Sequence, residues 1–269
     1  VERSTHAHHE VPVLVVGAGP AGRGVAAVLE NAGIDHVVVD RQDSLALTRS
    51  VAWPLPSALM SELALFGIYP NEYLAAGTST DPQRAVTLHT FRCDHIVLAT
   101  GARDTTLMIR NNDIPGVVSA RGLLAMLARI DATLGVDVVV VGTGTSATVA
   151  AERLHAPLFD PTRVVAILGS THVEGIDLAD RSLPCALVAL APEPSPAFEL
   201  AAQAGARVFW TGLGFAVACD EHGCAHAEPP WTIWAAGDVT GYSGPERSYE
   251  HGRLVASALV ERLGASAHA

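Results

Sequence analysis

The chain reads as an α/β protein: a Rossmann-like dinucleotide-binding fold with a parallel central sheet and a smaller, inserted second nucleotide-type lobe. Three stretches predict this. Near one end, the apolar run Val11–Val16 leads into Gly17-Ala18-Gly19-Pro20-Ala21-Gly22. Near the other, Trp234-Ala235-Ala236-Gly237-Asp238 places a carboxylate after a second short apolar run. Between them, Gly142-Thr143-Gly144-Thr145-Ser146-Ala147 repeats the glycine-rich turn after the run Gly135–Val141. The outer pair predicts one site built from both ends of the chain. The expected cofactor domain is therefore discontinuous, 1–103 with 215–269, and 104–214 forms a reduced second lobe with its linker.

The first unit follows from backbone geometry. A continuous apolar run suits a strand buried on both faces. Gly17 allows the tight turn, Gly19 lets the backbone approach a pyrophosphate, and Gly22 lets the next helix pack close. That helix is expected over Pro20–Asn31, with Val25, Val28 and Leu29 on one face. Its N-terminus, led by Pro20 and Ala21, offers free N–H groups and the positive end of a dipole to phosphates. His36–Val39 is the second strand. Asp40 stands at its end with Arg41 beside it, where an acid accepts hydrogen bonds from ribose hydroxyls.

Cys93–Leu98 reads as another buried strand that ends in the small-residue turn Ala99-Thr100-Gly101, which lets the main chain approach a cofactor. In the second unit, Gly142, Gly144, Thr145 and Ser146 form a nucleotide-type turn, followed by a helix over Ala147–Leu154. The next strand, Val164–Leu168, ends in Gly169-Ser170-Thr171 without an acid for a ribose or an Arg cluster for a 2′-phosphate. This unit is either a second NAD(P) site or a structural βαβ unit. Ser195–Ala204 is expected as a short helix, and Phe215–Ala218 as a strand running into a hairpin turn at Cys219–Cys224. A last helix spans about Pro245–Leu263, with Val255, Leu259 and Leu263 inward and Gly264 ending it.

Composition narrows the function. The chain has 269 residues, is 49% hydrophobic and carries a formal charge of -11. That balance argues against nucleic acid, whose binders need a basic face. No apolar run approaches the ~18 residues of a membrane span. The expected location is cytoplasmic. Cys93, Cys185, Cys219 and Cys224 contain no C-x-x-C pair and do not read as a disulfide framework. No metal site is expected, and the His-rich start, Val1–Glu10, reads as a frayed, solvated terminus.

Gly17–Gly22 with Asp40, Ala99-Thr100-Gly101 and Ala236-Gly237-Asp238 resemble the two-dinucleotide-domain flavoprotein superfamily, which includes thioredoxin reductase and glutathione reductase. The resemblance implies that the first motif holds FAD phosphates, that Asp40 holds the adenosine ribose, and that Asp238 lies near the ribityl and pyrophosphate. Leu65-Phe66-Gly67-Ile68-Tyr69-Pro70-Asn71-Glu72-Tyr73 and Asn111-Asn112-Asp113-Ile114-Pro115-Gly116-Val117-Val118-Ser119-Ala120 are similar to segments of the alpha subunit of heterotetrameric sarcosine oxidase. The second is similar, more loosely, to related subunits of hydrogen cyanide synthase, opine oxidase and dye-linked proline dehydrogenase. This implies a dinucleotide-binding subunit, with FAD or NAD in the first site, beside a second flavoprotein subunit that oxidises an amine. The alternatives are a stand-alone NAD(P)H-dependent flavoprotein reductase and a non-catalytic nucleotide-bound scaffold. His155, His172 and His251 are general-base candidates by residue type alone, so the catalytic residues stay unassigned.

Overall fold

In the computed structural model, the described residues are 5–50, 52–72, 74–80, 85–212, 214–226 and 231–266. Tyr73 of the sarcosine-oxidase-like segment and Val1–Ser4 lie outside them. The chain divides into two compact units, Val1–Ala102 with Ser195–Ala269, and Arg103–Pro194.

The first unit opens with β1 (Thr5–Glu10), β2 (Val13–Val16), α1 (Pro20–Asn31), β3 (His36–Val39), α2 (Ser44–Ser50) and β4 (Leu59–Met60). It continues through β5 (Leu63–Tyr69), β6 (Leu74–Thr80), β7 (Val86–Arg92) and β8 (His95–Leu98). After the two-residue β9 (Ala102–Arg103), the second unit holds β10 (Val117–Ser119), α3 (Ala120–Ile130), β11 (Val138–Gly142), α4 (Gly144–Leu154) and β12 (Leu158–Phe159). Then come β13 (Val164–Leu168), β14 (Gly175–Leu178), β15 (Ser182–Pro184) and β16 (Leu187–Ala191). The chain returns to the first unit with β17 (Ser195–Pro196), α5 (Glu199–Gln203), β18 (Val208–Trp210), β19 (Phe215–Val217), β20 (Cys224–His226), β21 (Thr232–Ala235) and α6 (Pro245–Ser266).

The six-stranded sheet of the first unit has the order β20-β21-β8-β2-β3-β4. β21, β8, β2, β3 and β4 are parallel, and β20 joins antiparallel at one edge. β2 is wholly buried, as its unbroken apolar run requires of a strand covered on both faces. On one face α1 and α6 pack together, burying Val25, Leu29, Val255 and Leu259. Their approach depends on two glycines. A Cβ at Gly24 would lie 2.2 Å from the Tyr249 carbonyl oxygen, and one at Gly252 would lie 2.1 Å from that of Ala21. Contacts this short exclude any larger residue unless the helices separate.

A second sheet, β1-β7-β6-β5, flanks the first. It corrects the expectation of a frayed His-rich terminus. β1 pairs in parallel with β7 over Thr5–Glu10, and its histidines are engaged. His6 Nε2 and His8 Nδ1 each lie 3.0 Å from the Thr90 hydroxyl oxygen. His9 Nε2 lies 3.0 Å from His89 Nδ1, whose Nε2 lies 2.8 Å from the Ser79 hydroxyl. Among the described residues no group of three or more His, Cys, Asp or Glu is placed to hold a metal ion.

Three further boundaries differ from expectation. Ser195–Gly214 falls in the first unit, not the second, because Ala201, Ala204 and Ala206 pack into the core of Leu63, Ile68 and Phe91. The turn at Asp220–Cys224 exists, with Asp220 N–H donating to the Cys224 carbonyl. Its flanking strands pair elsewhere, however, β19 with β18 and β20 with β21. α6 runs through Gly264 to Ser266. Among the described residues no helix is long and apolar enough to cross a membrane.

In the second unit, β10-β16-β11-β12 form a parallel sheet and β13-β14-β15 an antiparallel one. The Asn111-Asn112 segment is a built turn. Asn111, at φ 65°, donates from Nδ2 to the Ile167 carbonyl. Asn112 Nδ2 donates to the Leu107 carbonyl, and Ser119 caps α3 by accepting from Gly122 N–H. Short polar side chains that satisfy main-chain carbonyls suit such a turn.

Candidate functional site

Parallel strands bring their carboxyl ends to one edge of the sheet. Here β2 leads to α1 and β3 on one side, while β8 and β21 lie on the other. The crevice between β2 and β8 is the place where the strand order reverses, the usual ligand position in open α/β sheets. Three sequence-predicted pieces end there: Gly17–Gly22 after β2, Ala99-Thr100-Gly101 after β8, and Gly237-Asp238 after β21.

Main-chain contacts lock them together. Gly17 N–H donates to the Val39 carbonyl at 2.8 Å, Ala99 N–H to Val16 at 2.9 Å, and Ala236 N–H to Leu98 at 3.0 Å. A Cβ at Gly17 (φ +108°) would meet the Ala99 carbonyl oxygen at 2.3 Å, and one at Gly22 would meet that of Gly17 at 1.8 Å. A Cβ at Gly237 would reach the Ala21 Cβ at 2.5 Å. Ala21 and Gly237, from opposite ends of the sequence, are thus in contact.

Gly19 differs from the other two glycines of its motif. A Cβ there would have nothing within 4 Å. It caps α1 without a side-chain hydrogen bond, Pro20 follows at the first helical position, and among the described residues no side chain is placed to serve the first-turn N–H groups. A helix end with open donors and no side chain above it fits an incoming phosphate. Gly101 (φ +69°) likewise has open space around it, and the Thr100 hydroxyl donates to the Ala197 carbonyl at 2.8 Å. This cradle fits the diphosphate of a dinucleotide.

Asp40 does more than the sequence reading assigned. Its Oδ2 accepts from Ala18 N–H at 2.7 Å and its Oδ1 from Gln42 N–H at 2.8 Å. The carboxylate therefore braces the turn, and each oxygen keeps a lone pair for a ribose hydroxyl. Arg41 is exposed. Asp238 Oδ1 accepts from Ser243 N–H (2.9 Å), the Ser243 hydroxyl (3.2 Å) and the Ser248 hydroxyl (2.7 Å). These bonds tie its loop to the start of α6 and leave Oδ2 out of the network. His251 Nδ1 accepts from Gly237 N–H at 3.0 Å, which puts any proton on Nε2. Burial holds this imidazole below its ordinary pKa.

Of the other histidines considered as bases, His155 is the left-handed C-cap of α4 and His172 is exposed beside Thr171. Both belong to the second unit. The four cysteines are free, and burial raises Cys219 and Cys224 above the ordinary thiol pKa. That disfavours thiolate chemistry at this pair.

Sequence reasoning missed Arg23, which is 2% exposed. Its Nε donates to the Ala18 carbonyl at 2.8 Å, Nη2 to Leu47 at 2.5 Å, and Nη1 to Trp53. An Arg just after the third glycine, on a helix face that otherwise buries small apolar residues, was the available signal. Trp53 stacks on Tyr249 of α6, with ring centroids 4.4 Å apart.

In the second unit, Gly142 packs tightly, since its Cβ would meet the Ala191 carbonyl oxygen at 2.1 Å. Gly144 (φ +77°) opens α4, and Glu193 Oε2 stands 3.4 Å from where its Cβ would be. Thr145 is exposed and Ser146 half-buried on the first turn of α4. A carboxylate thus occupies the neighbourhood in which a second pyrophosphate would sit.

With the fold and the first cradle described, comparison with known proteins shows what the chain is similar to. Residues 10–107 match the family described as FAD binding domain. Sarcosine oxidase subunit alpha from Corynebacterium sp. (strain U-96) is 25% identical over 172 residues, 52% of this chain and 18% of that protein. The match thus spans less than a fifth of the curated relative's length. The crystal structure of L-proline dehydrogenase from P. horikoshii superposes with a TM-score of 0.77 at 19% identity, covering 96% of this chain and 57% of that one. T. acidophilum thioredoxin reductase superposes with a TM-score of 0.64 at 14% identity, covering 95% and 99%. The chain thus shares its fold with these two structures, and residues 10–107 are similar to the FAD binding domain family.

Proposed function

We propose that this chain is the dinucleotide-binding subunit of a flavin-dependent amine dehydrogenase or oxidase, acting on secondary amines of the sarcosine, proline or opine kind. The observation that carries the reading is the cradle itself, formed where the carboxyl ends of β2, β8 and β21 meet, in a chain similar to sarcosine oxidase subunit alpha. The open N-terminus of α1 at Gly19, Pro20 and Ala21 takes the pyrophosphate, with Gly17 and Gly22 shaping the turn. Asp40 takes the adenosine ribose, Asp238 Oδ2 faces the ribityl or pyrophosphate, and the main chain at Thr100-Gly101 lies along the remaining half. FAD is the expected occupant, and NAD in the same cradle is the alternative. When bound, a flavin supplies two-electron acceptance; the protein contributes position and electrostatics.

Amine oxidation itself is assigned to a partner flavoprotein subunit. The titratable groups at the cradle are already engaged: Asp40 in the turn, Asp238 with Ser243 and Ser248, and His251 with Gly237. Each is thereby committed to holding the turn or its loop, and none is singled out as a base. A stand-alone reductase is the second reading, favoured by the thioredoxin reductase likeness, which covers 99% of that chain. The lack of a C-x-x-C pair and the position of Glu193 weigh against it.

The test is the spectrum and partnership of the purified chain. A yellow protein that NADH does not bleach, and that co-purifies with a co-expressed second flavoprotein, supports the subunit reading. Bleaching by NADH favours the reductase. Steady oxidation of sarcosine or proline by the isolated chain, with a dye as acceptor, overturns the division of labour.

A further inference from the structure

Arg23 has a role that the glycine motif does not require. Arginine almost never lies fully buried without a paired charge; here all three hydrogen bonds run to main-chain carbonyls, while the Asp40 carboxylate acts on the guanidinium through space. The guanidinium's charge thus stands beside the turn, offset only in part by Asp40. Ala18 is gripped from both sides: its N–H by Asp40 Oδ2, and its carbonyl by Arg23 Nε. The other two bonds reach the carbonyls of Leu47 and Trp53, and Trp53 leans on Tyr249. One side chain thus connects the phosphate turn, the segment after Asp40, and α6.

We propose that Arg23 is a positioning residue for the bound dinucleotide, holding the main chain at Leu47 and at Trp53 against the glycine turn and keeping a fixed positive charge behind the diphosphate. The inference rests on the reading that this turn binds FAD or NAD. A planar fork is needed to reach three separate carbonyls; the Lys ammonium has the charge but not the geometry. A turn serving only the fold would use an apolar residue here, because burying a charge is costly.

The test uses the whole chain, freed of cofactor, with ADP and adenosine as probes in titration calorimetry. Arg23→Met should weaken ADP by about tenfold or more while adenosine changes by less than about twofold, since only ADP carries the phosphates. Arg23→Lys should restore part of the ADP affinity and keep the salt dependence that Arg23→Met loses. Equal losses for both probes, or an unchanged ADP affinity, would overturn the inference. If Arg23→Met fails to fold, an Arg23→Lys variant that binds both probes like wild type overturns it equally. A wild-type protein that binds neither ADP nor FAD would instead sink the cradle reading beneath it.

Discussion

Gly19→Val separates binding from folding. The N–H groups at the start of α1 are the groups a pyrophosphate would meet, and a branched side chain at Gly19 would stand in its path. About two bonds to a charged acceptor would be lost, at roughly 1.5–3 kcal/mol each. Binding should weaken by about 3–6 kcal/mol, or roughly two to four orders of magnitude in Kd. The fold should barely respond. A Cβ at Gly19 has nothing within 4 Å, and its φ of -70° is ordinary for any residue. What remains is the replacement of a favourable N-cap by a poor one, about 1 kcal/mol, or about 2–4 °C in Tm for a chain of this size. Two measurements decide it: FAD bound per chain by absorbance, and thermal unfolding of cofactor-free protein. Wild-type FAD occupancy in Gly19→Val would refute the placement of the pyrophosphate. A cofactor-free variant that does not fold would refute the claim of open space. Gly22→Ala is the contrasting control, because its Cβ would lie 1.8 Å from a carbonyl oxygen; it should not fold.

Asp40→Ala should lower the Tm of cofactor-free protein by about 4–8 °C, for roughly 2 kcal/mol of lost bracing at Ala18 and Gln42, besides weakening FAD; an unchanged Tm would mean the acid serves the ribose alone. Burial holds His251, His95, His9 and His89 below the ordinary imidazole pKa. Each is neutral when folded and takes up a proton more readily when unfolded, so their share of stability is full above pH ~6.5 and is lost as pH falls through the lower folded values. Melting of cofactor-free protein from pH 8 to 5 should show this decline, less steeply in His251→Asn; a Tm that rises toward pH 5 contradicts it. With the first site saturated by FAD, Glu193→Gln should tighten NADH about fivefold, from about 1 kcal/mol of relieved repulsion per charge pair; equal NADH affinity in both proteins would show that Glu193 does not guard the second turn.

Much of the cradle was legible because its cues are local. Gly17, Gly19 and Gly22 sit at spacings a βα turn dictates, and the predicted α1 and β3 coincide with the observed ones. What stayed hidden depends on distant partners. β1 carries polar, alternating residues and becomes a strand only because β7 lies beside it. The turn after Cys219 reads as a hairpin locally, but β20 is drawn to β21. Gly264 looked like a stop, yet α6 continues past it with nothing crowding that position. Asp40 was read from the sequence as a ribose ligand, whereas its grip on Ala18 required seeing the backbone fold back on it. Arg23 carries no motif signal, since its partners lie in the turn and in the segment after Asp40.

The glycine crossing of α1 and α6 has a consequence for the order of events during synthesis. The phosphate turn leaves the ribosome well before α6 does. The loop that bears Asp238 is positioned only when Gly252 has docked against Ala21. A growing chain therefore carries half a cradle until α6 has emerged. Cofactor capture becomes a step that waits for α6, and yellow colour in a pulse-labelled translation should follow products that include Gly252 rather than accompany shorter ones.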